Sequence, residues 1–337
     1  MSDPVPAMAE RAVVCADCLR GADSVLLSSH IDADGLTSAA VAASALERAG
    51  IPFETNFEKQ LDAAAIERIA GTDHEVALFT DFGSGQLDDI VPHEERGDFT
   101  PVIADHHQPA KGEEGEEPPD TDLHLNPLLF GLDGASELSG AGASYVLARA
   151  LETEEGANKD LAALAVVGAV GDMQDTDGGL VGANEGIIAE GVEAGVIEEV
   201  TDISLYGRQT RPLPKLLEYA SELRIPGISG DESGSIRFLS GLDVDLKVDG
   251  DWRRWVDLSF EERQAVASAL MRHAIDRGVP PERVNSVTTT TYTLSDEEVG
   301  TELRDVSEFS TVLNATARYE RADVGLAVCL GYRDEAL

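Results

Sequence analysis

The sequence predicts an α/β protein: a parallel sheet with helices on both faces, then a helical linker and a smaller α/β domain. Three observations carry this. Short apolar runs alternate with helical stretches through the first half of the chain, joined by short Gly-, Pro- and Asp-containing connections. Three of those runs stop abruptly at Asp and His residues. A length of 337 residues is enough for two ordinary cores. The expected boundaries are 1–190 for the first domain, 191–224 for the linker and 225–337 for the second domain.

Residues 7–20 read as a helix leading into a buried strand at Val25–Leu27, which breaks off at His30, Asp32, Asp34 and Gly35. Ala-rich residues 36–50 are helical, with Gly50 closing them at C′. Pro52–Phe57 is a second strand, Leu61–Ala70 a helix stopped by Gly71, and Glu75–Thr80 a third strand ending at Asp81. Gln86–Val91 is a short helix. Pro101–Ala104 is a fourth strand, ending in Asp105-His106-His107. An acidic Gly/Pro loop at Lys111–Asp122 precedes a fifth strand at Leu123–Asn126. Ser139 opens a helix through Leu151, and the apolar helix Leu161–Val170 delivers Gly171-Asp172. Residues 187–223 read as mostly helical, with Arg208 and Arg211 in their middle. The second domain is loop-rich over 225–258, then helix Phe260–Arg277, strand Val284–Leu294, helix Phe309–Arg318 and strand Val324–Leu330, with another helix starting at the end.

Composition narrows the setting. Basic residues number 25 against 64 acidic, a net charge of −39, and five of the bases are Lys. Such charge strains a compact state through self-repulsion, which molar salt screens within about 3 Å. The acidity therefore reads as adaptation to high salt rather than as the mark of a basic partner. The N-terminus lacks the basic and apolar regions of a signal peptide, and the longest apolar run is half of the ~20 residues a bilayer requires. A soluble cytoplasmic protein with no membrane partner is expected. Cys15 and Cys18 form C-x-x-C without a second metal-ligand pair and read as helix positions.

Three metal-capable groups crowd His30–Asp34. Taken alone, the stretch is as compatible with an acidic helix N-terminus capped by Asp34 as with a cation site. The fold tips the balance, because ligands of open parallel sheets bind beyond the carboxyl ends of the strands, where His30/Asp32/Asp34, Asp81 and Asp105/His106/His107 would meet. Carboxylates and imidazoles without thiolates suit Mn²⁺ or Mg²⁺. Seven groups exceed the needs of one ion and match a pair about 3.5–4 Å apart, which suits hydrolysis of a phosphate ester or anhydride. No G-x-x-x-x-G-K-[ST] loop is present to bind a nucleotide triphosphate.

H-x-D-x-D-G at 30–35, Asp81 after its strand, D-H-H at 105–107 and G-D at 171–172 resemble, in order, the four motifs of the DHH phosphoesterase superfamily. SSHIDADGLTSA, FTDFGSGQL, IADHHQP, SGAGASY and VVGAVGDMQD are similar to the archaeal RecJ-like exonuclease branch. The resemblance is strong over residues 10–190 and continues more weakly into GRQTRPL and TELRDVSEFSTVLNATARY. It implies a DHH catalytic domain followed by a DHHA1-like one, and hydrolysis of single-stranded DNA or RNA with two Mn²⁺ or Mg²⁺ ions. Alternatives are a phosphatase of oligonucleotides, cyclic dinucleotides or pyrophosphate, or a scaffold among replication proteins such as GINS. One ion is implied on His30, Asp32 and Asp81, the other on Asp34, Asp81, His106 and Asp172. His107 is implied to face the phosphate, and Asp105 to orient His106 or hold the loop. Many bacterial members place the first His where Ser28 stands here. The Gly-Gly-Gly-His type motif of DHHA1 domains does not occur, which implies an incomplete second domain or a different substrate grip. Arg208 and Arg211 are the candidate substrate contacts, with Arg304 and Arg318 behind them; each also fits a surface ion pair with the abundant acid.

Overall fold

The computed structural model describes residues 3–112, 118–175, 178–220 and 223–333. Part of the expected acidic loop (113–117), Asp177 of the turn after Asp172, and the helix start expected at 334–337 lie outside them. The chain forms two compact units. One comprises Met1–Thr176, Leu180–Ile197 and Ser310–Leu337, the other Asp177–Gly179 and Glu198–Phe309.

The elements run α1 (Ala9–Gly21), β1 (Val25–Ser29), α2 (Ala33–Ala49), β2 (Phe53–Phe57), α3 (Ala63–Ala70), β3 (Val76–Thr80), α4 (Leu87–Arg96), β4 (Thr100–Ala104), β5 (His124–Leu125), α5 (Gly140–Ala150), α6 (Ala162–Gly171) and α7 (Ala183–Glu193). They continue with β6 (Ile197–Ile203), α8 (Leu213–Glu218), α9 (Glu232–Ser240), β7 (Lys247–Val248), β8 (Asp251–Trp252), α10 (Phe260–Asp276), α11 (Pro281–Asn285), β9 (Thr288–Leu294), α12 (Val306–Arg318) and α13 (Ala322–Cys329).

In the first unit β1–β5 form one parallel sheet in the order β2-β1-β3-β4-β5. Strands β1 and β3 are buried along their whole length, as near-continuous apolar runs in a covered sheet should be. One face packs Leu26, Ala77, Phe79 and Ile103 against Ile66 and Ile69 of α3 and Leu87 and Ile90 of α4. The other carries α2 and α5, with α6 behind them. Helix α2 is buried nearly all round, which its Ala and Ser residues permit by letting neighbouring helices approach closely. Gly50 ends it in the left-handed region (φ 71°), as expected of a C′ glycine.

Strand β2 neighbours β1 on one side, and the chain then crosses back over β1 to place β3 on the other. The topological switch therefore lies between β1 and β3, where the loops leave in opposite directions and open a crevice.

The second unit has its own core of Leu213, Leu216, Leu217, Leu239, Trp255, Val266, Leu270 and Val287, among others. Strands β6 and β9 form one small sheet and β7 and β8 another.

Three expectations need correction. The stretch 187–223 is not mostly helical: α7 stops at Glu193 and β6 follows, its Ile197, Val200, Thr201 and Ile203 favouring an extended backbone. The run 324–330 is helix α13, not a strand, because Gly325, Val328 and Cys329 are buried at helical spacing. Residues from Ser310 onward, expected in the second domain, belong to the first unit, where α13 packs on α2. Among the described residues no helix is long and apolar enough to cross a membrane.

Candidate metal centre

Parallel register gathers the site. Ser29 of β1 lies beside Thr80 of β3, and Thr80 beside Ala104 of β4, so His30, Asp81 and Asp105 follow at the same level. The first helical turn of α2 adds Asp34, and the C-terminal end of α6 adds Asp172. The N-cap of α2 is Asp32, whose side chain accepts from the Gly35 N–H at 2.9 Å; Asp34 is a first-turn residue and not the cap.

Three overlapping groups of donors result among the described residues: His30, Asp32 and Asp81; Asp34, His106 and Asp172; and Asp81, Asp105, His106 and His107. His30 Nδ1 is 3.0 Å from Asp32 Oδ2 and 3.6 Å from Asp81 Oδ2. On the other side, His106 Nε2 is 3.3 Å from Asp81 Oδ1 and 3.7 Å from Asp34 Oδ2. His30, Asp32 and Asp81 offer ligand atoms within 4.8 Å of one another, as do Asp34, His106 and Asp172. Asp81 thus points one oxygen each way. Its φ of 60° is in the left-handed region, which Asp tolerates better than most residues. Ser28, at the alternative His position, instead accepts from Asn56 Nδ2 of β2 at 3.1 Å.

The donors fit divalent cations on a direct observation. Asp81 Oδ1 and His106 Nε2 are both buried and face each other, yet neither makes a hydrogen bond. Buried polar atoms rarely go unpartnered, because each carries a desolvation cost of about 1–3 kcal/mol. His106 Nδ1 donates to the Gly134 carbonyl at 2.6 Å, so Nε2 is the ring nitrogen turned toward the carboxylates and the one available to a cation once its proton is displaced.

Electrostatics agree. Burial opposes charge on His106, but contact with Asp81 and the field of Asp34, Asp81 and Asp105 outweigh it and push the imidazole up to about 11. Burial likewise opposes charge on His30, and Asp32 and Asp81 override it, pushing it up to about 10. A field that holds protons this firmly is one that a cation relieves. Burial, then the charge of Asp81, raises Asp34 well above the usual carboxylate range, and burial raises Asp172. Both oxygens of Asp34 accept backbone N–H groups at the start of α5, from Gly140 at 2.7 Å and Ala141 at 3.0 Å. This helix N-terminus holds the anion in place.

Asp105 has a different job. It is fully buried; Oδ1 accepts from the His106 and His107 N–H groups and contacts His107 Nδ1 at 2.8 Å, and Oδ2 accepts from the Ser84 N–H at 3.0 Å. Burial opposes its ionisation, but the His107 bond and charge hold its carboxyl well below the usual range. Asp105 therefore orients His107 and the loop, whereas His106 is oriented by Gly134. The His107 side chain is 55% exposed, free to meet a ligand.

Of the expected substrate contacts, Arg208 is corrected. It is buried, its Nε donates to Asp305, and its Nη1 lies 3.7 Å from Asp202, so it serves the interior of the second unit. Arg211 stacks between the half-exposed rings of Tyr206 and Tyr219, 4.6 and 4.5 Å from their centroids. Arg304 pairs with Glu198, and Arg318 is exposed at the end of α12. Several supporting residues are invisible to motif reading. Buried His124 contacts Ser84 Oγ at 2.8 Å and Asp120 at 3.0 Å, Asn126 donates to Ser84 Oγ and the His107 carbonyl, and Asn314 of α12 accepts from the Ala33 N–H at 3.2 Å.

Fold and site together define an α/β protein with a carboxylate–imidazole centre at the switch point of a parallel sheet. Residues 24–169 match the DHH family N-terminal domain and residues 205–288 the DHH-CID domain, together more than half of the chain, which belongs to the DHH family. The second unit, expected to resemble DHHA1, is thus matched by DHH-CID.

An uncharacterized protein of Methanocaldococcus jannaschii is 28% identical over 306 residues; the chain spans 63% of that relative's length and is itself 90% covered. Among solved structures, Cdc45 from Entamoeba histolytica shares the fold, with TM-score 0.63, 12% identity, and coverage of 96% of this chain and 71% of that one. RecJ from Thermus thermophilus in complex with Mn²⁺ aligns with TM-score 0.47 and 19% identity, over 96% of this chain and 39% of that one.

Proposed function

We propose that the chain is a phosphoesterase of the RecJ-like kind, hydrolysing single-stranded nucleic acid from an end with two Mn²⁺ or Mg²⁺ ions. The observation that carries the reading is the placement of Asp81: its buried Oδ1 lies 3.3 Å from buried His106 Nε2, with neither atom making a hydrogen bond, and its Oδ2 lies 3.6 Å from His30 Nδ1. His30, Asp32 and Asp81 would hold one ion, and Asp34, Asp81, His106 and Asp172 would hold the other. When bound, the pair supplies charge that neutralises a phosphoryl group and acidifies water. The protein supplies the rest. Gly140 and Ala141 fix Asp34, Gly134 fixes His106, and Asp105 presents the exposed His107 toward the phosphate as a charge stabiliser or proton donor.

Incubation with Mn²⁺ and end-labelled DNA and RNA strands at molar salt tests this. Asp81→Asn is the matched control, because Asn also accepts the left-handed backbone at 81 while losing the charge. Shortening of strands by the wild type and not by the variant supports the proposal; equal survival in both refutes it. A length series separates long strands from oligonucleotides, cyclic dinucleotides or pyrophosphate. A scaffold for replication proteins such as GINS is the non-catalytic alternative. It requires no convergence of six donors, and Mn²⁺ calorimetry separates the two, with two ions per chain favouring hydrolysis.

A further inference from the structure

Gln174 lies two residues beyond Asp172, fully buried, and the proposed chemistry gives it no part. Its Nε2 donates to Asp172 Oδ2 at 2.9 Å and to the Gly134 carbonyl at 3.0 Å. That same carbonyl accepts from His106 Nδ1 at 2.6 Å. Gln174 Oε1 in turn accepts from Nδ2 of Asn184, itself buried, at 2.9 Å. The Asn184 backbone N–H is tied to the Glu137 carbonyl at 2.9 Å.

The amide orientation is dictated by this network. Flipped, the Gln174 oxygen would face a carboxylate and a carbonyl, three acceptors with no proton among them. The backbone makes the same point. Met173, between Asp172 and Gln174, has a left-handed φ of 58°, while its own side chain is 82% exposed. Such a backbone is strained for a non-glycine residue, and the exposed side chain returns little of the cost by packing. The strained turn brings the side chains on either side of it onto each other.

We propose that Gln174 is a positioning residue that locks Asp172 and His106, two donors of one cation subsite, to a single backbone atom, the Gly134 oxygen. Asn184 holds the amide that does so. The inference rests on the two-cation reading of the centre. It predicts an asymmetric defect: the ion on Asp34, Asp81, His106 and Asp172 depends on Gln174, and the ion on His30, Asp32 and Asp81 does not.

The test is calorimetric titration of the full chain with Mn²⁺ alone, with no substrate present. Gln174→Met keeps the volume and removes all three side-chain hydrogen bonds. The expected result is two tight ions in the wild type, and in the variant one unchanged and one weakened by about 10–100-fold, the usual effect of losing a partner that orients a ligand. Where Gln174→Met lowers the melting temperature too far to titrate, Asn184→Ala leaves Gln174 in place and frees its amide; the same single ion should weaken, by less. Two ions in the wild type with unchanged affinities in the variants overturn the role of Gln174 and leave the centre standing. Equal weakening of both ions also overturns it, because that marks a general structural defect. Fewer than two ions in the wild type overturns the two-cation reading and this inference with it.

Discussion

Gly140 is the position where a single methyl group should separate folding from metal binding. A Cβ there would lie 2.6 Å from Asp81 Oδ1, 2.8 Å from Asp81 Cβ and 2.9 Å from Asp81 Cα. Ordinary contact begins near 3.4 Å, so α5 and Asp81 must part by about 0.5–0.8 Å. Neither yields easily. Asp81 is buried, with its N–H bonded to the Ala104 carbonyl at 3.0 Å, and Gly140 is anchored by its own N–H to Asp34. Overpacking of this kind costs about 1–3 kcal/mol. Replacing Gly by Ala in a helix returns about 1 kcal/mol.

The net loss, about 0–2 kcal/mol, lies inside the stability of an ordinary domain. At about 2–4 °C per kcal/mol, it should lower the melting temperature by less than about 8 °C. Metal ligands tolerate displacements of only about 0.2 Å. Gly140→Ala should therefore fold but lose at least about ten-fold in Mn²⁺ affinity, a difference of about 1.4 kcal/mol. Circular dichroism melting and Mn²⁺ calorimetry on the same sample check both halves. A variant that binds two Mn²⁺ ions as tightly as the wild type would refute the claim that close approach of α5 sets the position of Asp81.

Further outcomes follow from individual contacts. Arg208→Met should destabilise the second unit by about 3–5 kcal/mol in urea unfolding, since it leaves Asp305 buried without its ion pair, while Mn²⁺ affinity stays as it was. Glu308 is buried, and burial raises its carboxyl above the ordinary value despite bonds from Thr210 and the Gln209 N–H. Its folded pKa thus exceeds the unfolded one, so its stabilising contribution is complete below the unfolded pKa and is lost as pH rises through the folded one. The advantage of wild type over Glu308→Gln in urea should accordingly shrink as pH rises above the ordinary glutamate value. Asn314→Ala leaves the Ala33 N–H without its acceptor and should cost about 1 kcal/mol in melting experiments, with Asn314→Asp, which keeps an oxygen there, recovering most of it.

The centre is legible in the sequence wherever its residues sit at strand ends. His30, Asp81 and Asp105 each follow an apolar run, and parallel pairing in register brings such positions together however far apart they stand in sequence. Asp34 and Asp172 are legible by a related signal, a carboxylate attached to a small or apolar helix. Gln174, Gly134, Asn184 and Asn314 carry no comparable mark, since an amide or a carbonyl in a connecting segment acquires its meaning only from what the fold lays against it.

Arg208 escapes sequence reading for the same reason. Its partner Asp305 stands 97 residues away, and no local pattern announces that both will be buried. Strand β6 hides in an acidic stretch because Glu198 and Glu199 are among its exposed residues and Asp202 follows. Helix α13 reads as a strand because a short, wholly apolar run has no period, and only burial at 325, 328 and 329 decides it.

The carboxylates also carry a thermodynamic consequence. Asp34 and Asp81 are almost completely buried, and Asp172 joins them within reach of His106. Their described partners are imidazoles, amides and backbone N–H groups, which orient them without neutralising them fully. Asp34 and Asp172 are raised while Asp81 is lowered, so the protein without ions resolves the crowding by unequal protonation. On the proposed function two divalent ions would remove that need and, binding the folded chain far better than the unfolded one, would stabilise it. At about a hundred times the dissociation constant, each contributes about 2.7 kcal/mol. At about 2–4 °C per kcal/mol, the first unit should melt about 10–20 °C higher with saturating Mn²⁺ than with chelator. Asp81→Asn should abolish most of that rise, because it takes the shared ligand from both ions. A melting temperature indifferent to Mn²⁺ in the wild type would mean that the buried carboxylates are stabilised by the protein alone, and the centre would have to be read as structural.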